Sequence, residues 1–80
     1  MRIDKFLKNS RLIKRRSVAK SACDSGRIFI NDKQTKAGSE VTEGDEILIK
    51  FGEKEIKVRV INLIESQRKE DAANMYEVIE

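Results

Sequence analysis

The sequence predicts a small α+β domain in which two short amino-terminal helices pack on a mainly antiparallel sheet. Before Gly26 the apolar side chains recur at helical spacing, whereas after it they alternate with polar ones as in strands. Pairs of Asn, Asp and Gly residues separate the alternating stretches and indicate turns. A chain of 80 residues is expected to form one domain over 1–80.

The first helix is predicted from about Ile3 to Leu12, because an apolar and a basic face lie on opposite sides of it. The apolar face holds Ile3, Phe6, Leu7 and Ser10, and the other face holds Lys5, Lys8 and Asn9. Asp4 is expected to favour the positive end of the helix dipole. A second, shorter helix is predicted from an N-cap at Ser17 to a stop at Gly26, since glycine suits a left-handed cap.

Beyond Gly26 the apolar period changes to two, which is typical of half-buried strands. The first predicted strand holds Ile28 and Ile30 and leads into a turn at Asn31-Asp32. A turn at Gly44-Asp45 precedes the next strand, in which alternate residues form one face: Ile47, Ile49 and Phe51.

This strand is predicted to form a hairpin with its successor through a turn at Gly52-Glu53. The successor lies within residues 54–64, where one face is formed by Ile56, Val58 and Val60. Residues 65–74 are polar, and a last short strand is predicted within residues 75–79. The sheet is therefore expected to be mainly antiparallel.

The composition excludes several kinds of site. The chain has no histidine and one cysteine, Cys23, which rules out a Cys/His zinc site, a histidine-based triad and an intramolecular disulfide. We expect Cys23 to be a packing residue, and we expect no catalytic residue, metal or cofactor. The longest apolar runs have three residues and the start is charged, so we expect a cytoplasmic protein without a membrane partner.

The net charge of +3 hides a strong asymmetry along the chain. Residues 1–36 hold eleven basic and three acidic side chains, a net charge of +8, whereas residues 37–80 hold six basic and eleven acidic ones, a net charge of −5. The basic part suits a polyanion such as folded RNA. The candidate RNA-binding residues lie on the two predicted helices and their flanks: Arg2, Lys5, Lys8, Arg11, Lys14, Arg15, Arg16 and Lys20.

The kind of RNA recognition is limited by the aromatic content. Four aromatic residues offer few stacking platforms, which favours recognition of shape and phosphates over base reading. Phe29 and Tyr76 are expected in the core. Arg15 could instead be a plain surface residue, and Lys33 and Lys36 could protect a sheet edge rather than bind RNA. DNA is the weaker alternative, because no partner helix suggests a dimer with two half-sites.

Four segments in this order resemble the RNA-binding domain named after small-subunit ribosomal protein S four, the alpha-L motif. They are RIDKFL from Arg2, RRSVA from Arg15, GRIFIN from Gly26 and EGD from Glu43. The match covers about residues 1–51, and a carboxy-terminal strand and tail occupy about 54–80. The family commonly has Asn-Gly where this chain has Asn31-Asp32. The stretches FGEK (51–54) and AANMY (72–76) are similar to the end of stand-alone bacterial members of the family.

The resemblance implies RNA contacts by Arg2 and Arg16, and it implies a function. Stand-alone bacterial members bind large ribosomal subunits that are obstructed by peptidyl-tRNA. They support the addition of C-terminal alanine tails to stalled chains by the partner factor RqcH. The implied partners are therefore large-subunit ribosomal RNA, peptidyl-tRNA and an RqcH-like tailing factor, for a non-catalytic protein that is monomeric off the ribosome.

Three alternatives stay open at this point. A heat-shock-type protein of the same fold recycles such subunits without tailing, although such proteins usually carry a longer basic extension in place of the acidic residues within 77–80. The chain could also be the detached RNA-binding module of an RNA-modifying enzyme. Finally, residues 65–80 could contact a partner protein.

Overall fold

A five-stranded antiparallel sheet organises the chain in the computed structural model, which describes residues 1–64 and 68–79. The strand order is β2-β1-β3-β4-β5, and each neighbouring pair is antiparallel. The predicted α+β fold is confirmed. The elements are α1 (Ile3–Asn9), α2 (Arg16–Asp24), β1 (Ile28–Ile30), β2 (Lys33–Gln34), β3 (Glu46–Phe51), β4 (Lys54–Val60), α3 (Lys69–Ala72) and β5 (Tyr76–Val78).

The core lies between the two amino-terminal helices and one face of the sheet. Phe6 and Leu7 of α1 are completely buried, as predicted, and Ala19 of α2 joins them. The register of β3 and β4 places their alternate apolar residues on this same face, and four of them are buried: Ile47, Ile49, Val58 and Val60. Phe51 continues the alternation at the end of β3, but it pairs with Lys54 beside the hairpin turn and is 48% exposed.

α1 ends at Asn9 and not at Leu12 as predicted. Arg11 has a φ of 61°, and a left-handed residue cannot continue a right-handed helix. The chain then folds back so that the N–H of Ile13 donates to the carbonyl of Leu7 at 3.1 Å, and the Ile13 side chain enters the core. The prediction that Asn9 lies on the polar face is also wrong, since its side chain is buried.

α2 begins two residues earlier than predicted. Arg15 occupies the N-cap position with extended backbone and no side-chain cap, so the N-cap predicted at Ser17 is wrong. The end of the helix agrees with the prediction, because Gly26 has a φ of 78°. The N–H groups of Gly26 and Arg27 donate to the carbonyls of Cys23 and Ala22 at 3.1 and 2.9 Å, which is the Schellman pattern.

The turn at Asn31-Asp32 joins β1 to β2, a short strand that the sequence pattern did not predict. Both residues have positive φ, 50° and 69°, as a two-residue type I′ hairpin requires. Asp tolerates this conformation, so the turn forms without the glycine that is common in the family. The Asn31 side chain also accepts the N–H of Glu46 at 2.9 Å and donates to Asp45 at 3.1 Å, which ties this turn to the start of β3.

The carboxy-terminal part follows the prediction less closely. β4 ends at Val60, within the predicted range 54–64, and β5 lies within the predicted range 75–79. The helix α3 was not predicted; it lies in the stretch 65–74, which was predicted only to be polar. Residues 65–67 and Glu80 lie outside the described residues. Met75 is completely buried and anchors β5 to the core.

Replacing Gly26 by alanine tests the turn that separates the helical part from the sheet. At a φ of 78°, a Cβ atom is strained and would also meet the side-chain amide of Gln34. We expect Gly26→Ala to lower the free energy of unfolding by about 1–2 kcal/mol, measured by urea denaturation. Gly38→Ala is the matched control, because nothing lies within 4 Å of its Cβ position. Equal stability of the two variants would contradict the role of Gly26.

Candidate RNA-binding surface

The carboxylate of Asp4 is the meeting point of the amino-terminal segment and α2. Its Oδ2 atom accepts from Arg2 Nη2 at 3.2 Å and from Arg16 Nε at 3.5 Å. Its Oδ1 atom accepts the backbone N–H of Lys5 at 2.8 Å. Only 3% of the Asp4 side chain is exposed. Sequence reasoning assigned Asp4 to the helix dipole alone and missed this role, which no local pattern could show because Arg16 lies twelve residues away.

The two arginines at this carboxylate are the residues that the family resemblance singled out for RNA contact. Their side chains are 49% and 50% exposed, so roughly half of each guanidinium-bearing side chain faces solvent. Arg2 is held at the N-cap of α1, where its carbonyl accepts the N–H of Phe6 at 3.0 Å. Arg16 is the first residue of α2. The structure therefore brings together Arg2 and Arg16, which the sequence could only name separately.

The other candidate residues lie along the same helices and their connection. Lys14, Arg15 and Lys20 are exposed, and within residues 1–64 and 68–79 none of the three forms an ion pair. Arg11 is exposed in the connection that follows α1, whereas Lys5 and Lys8 are half-buried on α1 itself. We call the whole set the basic helical surface: Arg2, Lys5, Lys8, Arg11, Lys14, Arg15, Arg16 and Lys20.

Three basic residues of the sheet behave differently, because acidic neighbours on adjacent strands bind Lys50, Lys57 and Arg59. The carboxylate of Glu46 on β3 lies 3.3 Å from Lys57 Nζ and 3.4 Å from Arg59 Nη2, both on β4. Arg59 Nη1 also lies 3.0 Å from the carboxylate of Glu77 on β5. Hydrogen bonds from Lys57 and then Arg59 lower the pKa of Glu46. These residues alternate with the core residues and lie on the opposite face of the sheet. Positive charge on the sheet is therefore largely matched by its neighbours.

Phe29 lies on this outer face of the sheet and not in the core as predicted. It alternates with Ile28, which is fully buried, and pairs with Leu48 of β3. The ammonium of Lys50 lies 4.9 Å from the centre of the Phe29 ring, a cation–π contact. Tyr76 is partly buried and packs against the core, in agreement with its prediction.

Cys23 is a packing residue of α2, as predicted. It is free, 1% exposed and part of the core cluster. Burial, followed by the negative charges of Asp4 and Asp24, raises the pKa of its thiol to about 11. Cys23 therefore stays protonated near neutral pH and does not supply a nucleophile.

Residues 1–64 and 68–79 lack two further kinds of feature. These residues contain no group of three or more Cys, Asp or Glu side chains that could hold a metal ion. No helix in the described part of the chain is long and apolar enough to cross a membrane.

The comparisons with known proteins agree with this fold. A family model described as the S4 domain matches residues 1–47, and the chain belongs to the S4 domain family. This confirms the resemblance found in the sequence. The chain is 55% identical over 78 residues to a protein of Halalkalibacterium halodurans named RQC P-site tRNA stabilizing factor, covering 98% of this chain and 89% of that protein.

A protein of the same name from Bacillus subtilis is 54% identical over 79 residues, which cover 99% of this chain and 92% of the relative. Among solved structures, the heat shock protein 15 of Vibrio cholerae, described as a trimer, superposes with a TM-score of 0.91 at 25% identity. That match covers 99% of this chain and 81% of the solved one. Similarity thus extends beyond the family model into the carboxy-terminal strands.

The raised pKa of Cys23 predicts slow alkylation of the folded protein. With a pKa of about 11 instead of 9.0, the thiolate fraction at pH 8 is about 100-fold lower than for an unperturbed thiol, and burial slows access further. We expect iodoacetamide to react slowly with the native chain and quickly in concentrated urea, as followed by mass spectrometry. Equal rates in the two conditions would contradict a buried thiol.

The same shift predicts a loss of stability at alkaline pH. The unfolded chain releases the Cys23 proton near pH 9.0 and the folded chain only near pH 11. The folded state therefore holds more protons in this window, and the free energy of unfolding falls as the pH rises through it. We expect Cys23→Ser to show a shallower decrease between pH 9 and 11 than the unmodified chain in urea titrations. Parallel curves would contradict the assignment.

Proposed function

We propose that this chain is a non-catalytic RNA-binding factor of bacterial ribosome-associated quality control. It binds large ribosomal subunits obstructed by peptidyl-tRNA and supports the C-terminal alanine tailing of stalled chains. The observation that carries the proposal is the basic helical surface, where Lys14, Arg15 and Lys20 have no ion-pair partner in the described part of the chain. The kind of RNA is suggested by relatives whose name refers to P-site tRNA.

The mechanism rests on positioning and not on bond chemistry. Arginine presents several N–H donors in a planar fork, which suits phosphate oxygens, and the exposed lysines add charge around them. Residues 11–20 span the connection that follows α1 and the start of α2, so neighbouring phosphates can meet different members of the surface. In this proposal the factor holds the tRNA against ribosomal RNA while the tailing partner adds each alanine.

The proposed partners are those that the family resemblance implies. They are large-subunit ribosomal RNA, peptidyl-tRNA and an RqcH-like tailing factor, and the factor acts as a cytoplasmic monomer when it is off the ribosome. The sheet supports an orientation in which the helices face the RNA, because the basic side chains of Lys57 and Arg59 on the sheet are bound by acidic neighbours. The paired face of the sheet is therefore turned away from RNA, and the basic helical surface is turned towards it.

A second function is supported by one observation. The heat shock protein 15 of Vibrio cholerae shares this fold with a TM-score of 0.91 over nearly the whole chain. A protein of that type would recycle obstructed subunits without tailing them. The higher identity, 55%, to a factor named for P-site tRNA stabilisation favours the tailing role.

Replacing Arg16 by alanine tests the basic helical surface. We expect weaker binding to purified large subunits carrying peptidyl-tRNA, measured by co-sedimentation across a salt titration. The slope of log K against log salt should fall by roughly 0.7–0.9 for each lost phosphate contact. Arg59→Ala is the matched control, because it removes the same side chain from the paired face of the sheet. Equal weakening by both variants would mean that the helices are not the binding surface.

A deletion strain distinguishes tailing from recycling. We expect stalled chains to lose their alanine tails in bacteria that lack this factor, because the tRNA is no longer held in position. Tails should return with the unmodified gene but not with Arg16→Ala, as detected by mass spectrometry of a stalled reporter. Normal tails together with an accumulation of obstructed subunits would favour the recycling role.

A further inference from the structure

We propose that Asp4 is a positioning residue that joins Arg2 and Arg16 into one binding site for a single RNA phosphate group. This inference rests on the proposed function and specifies how the basic helical surface would engage RNA. The site consists of a buried carboxylate below and two half-exposed guanidinium groups above it.

The two guanidinium groups converge on a single atom. Nη2 of Arg2 and Nε of Arg16 both lie within 3.5 Å of Asp4 Oδ2, although the residues come from different segments of the chain. Two cations so close to each other repel, and an anion between them offsets the repulsion. The carboxylate supplies that anion, and it is 3% exposed, so the RNA meets the guanidinium groups and not the carboxylate.

Each arginine keeps donors that Asp4 does not use. Arg16 contacts Asp4 through Nε, which leaves both of its Nη groups, and Arg2 contacts it through Nη2, which leaves Nε and Nη1. A phosphodiester group has two non-bridging oxygens and one negative charge. Two guanidinium groups and one carboxylate carry a net charge of +1, which matches one such group.

The backbone around the site is fixed before any RNA binds. Arg2 forms an isolated antiparallel bridge with Glu40, and the N–H of Ile3 donates to the carbonyl of Ser39 at 2.7 Å. Arg16 starts a helix whose next turn is anchored by the fully buried Ala19. The N–H of Lys5 holds Asp4 Oδ1 at 2.8 Å and so fixes the plane of the carboxylate. Little backbone entropy is then lost when the phosphate is bound.

Replacing Asp4 tests the proposal, because general electrostatics and the positioning role predict opposite changes in RNA affinity. Asp4→Asn makes the protein more positive, so general electrostatics predicts tighter RNA binding, whereas loss of the positioning carboxylate predicts weaker binding. We expect Asp4→Asn to weaken binding to large subunits carrying peptidyl-tRNA by about tenfold. Asp24→Asn is the matched control, because Asp24 is an exposed residue of α2 and its replacement changes the net charge equally. It should bind as well as the unmodified chain or slightly better.

Testing Asp4→Asn in a second chain, which lacks both arginines, separates a positioning role from a purely structural one. In a chain that already carries Arg2→Ala and Arg16→Ala, Asp4→Asn should cause no further loss, because there is nothing left to position. A structural role would weaken binding in both backgrounds. Thermal unfolding followed by circular dichroism shows whether each variant is folded, and the asparagine still offers an oxygen to the N–H of Lys5.

The arginines provide a test that does not depend on the folding of an Asp4 variant. If both bind one phosphate, the double variant Arg2→Ala, Arg16→Ala should lose less affinity than the two single losses combined. Its salt slope should fall by roughly 0.7–0.9, as for one phosphate, and not by twice that amount. Additive losses with a doubled change in slope would overturn the shared site.

These outcomes also separate this inference from the function on which it rests. If Arg16→Ala binds normally, the basic helical surface itself is wrong. If Arg16→Ala binds weakly but Asp4→Asn binds as tightly as Asp24→Asn, the surface stands and the positioning role of Asp4 is overturned.

Discussion

The buried carboxylate of Asp4 is the interaction on which the amino-terminal half of this structure depends. A charge that is 3% exposed is stable only when it is paired and hydrogen-bonded, and here Arg2, Arg16 and the N–H of Lys5 meet that need. The same pairing links the first residue of α2 to α1. One interaction therefore serves both the packing of the helices and the arrangement of the side chains that we propose for RNA.

The distribution of ion pairs explains how a chain with a net charge of only +3 can carry the basic helical surface that we propose for RNA. On the sheet, the cross-strand register places Glu46 beside Arg59 and Arg59 beside Glu77, so opposite charges meet across three strands. On the helices, Lys14 and Arg15 extend from a connection where the described residues place no acidic neighbour within ion-pair distance. The net charge of +3 thus combines a sheet face on which opposite charges are paired with a helical surface that includes Lys14, Arg15 and Lys20, which have no ion-pair partner among the described residues.

Much of the fold could be predicted from local patterns, because local geometry sets them. Three features depend on neighbouring residues: the alternation of apolar and polar side chains in β3 and β4, the left-handed cap at Gly26, and the turn at Asn31-Asp32. The errors arose where distant contacts decide. β2 has two residues, too few to show a period, and Asn9 is buried although the helical pattern placed it on the polar face. Arg11 takes a left-handed conformation that its residue type does not favour.

The class of fold, the family and the candidate RNA-binding residues could be inferred from the chain alone, since composition, period and ordered motifs are properties of the chain. Which of those residues lie next to each other depends on the tertiary structure. Arg2 and Arg16 become neighbours because α1 and α2 pack on the same sheet face and a buried carboxylate needs two partners. A contact between residues so far apart depends on the packing of whole elements, and no local pattern of residues encodes it.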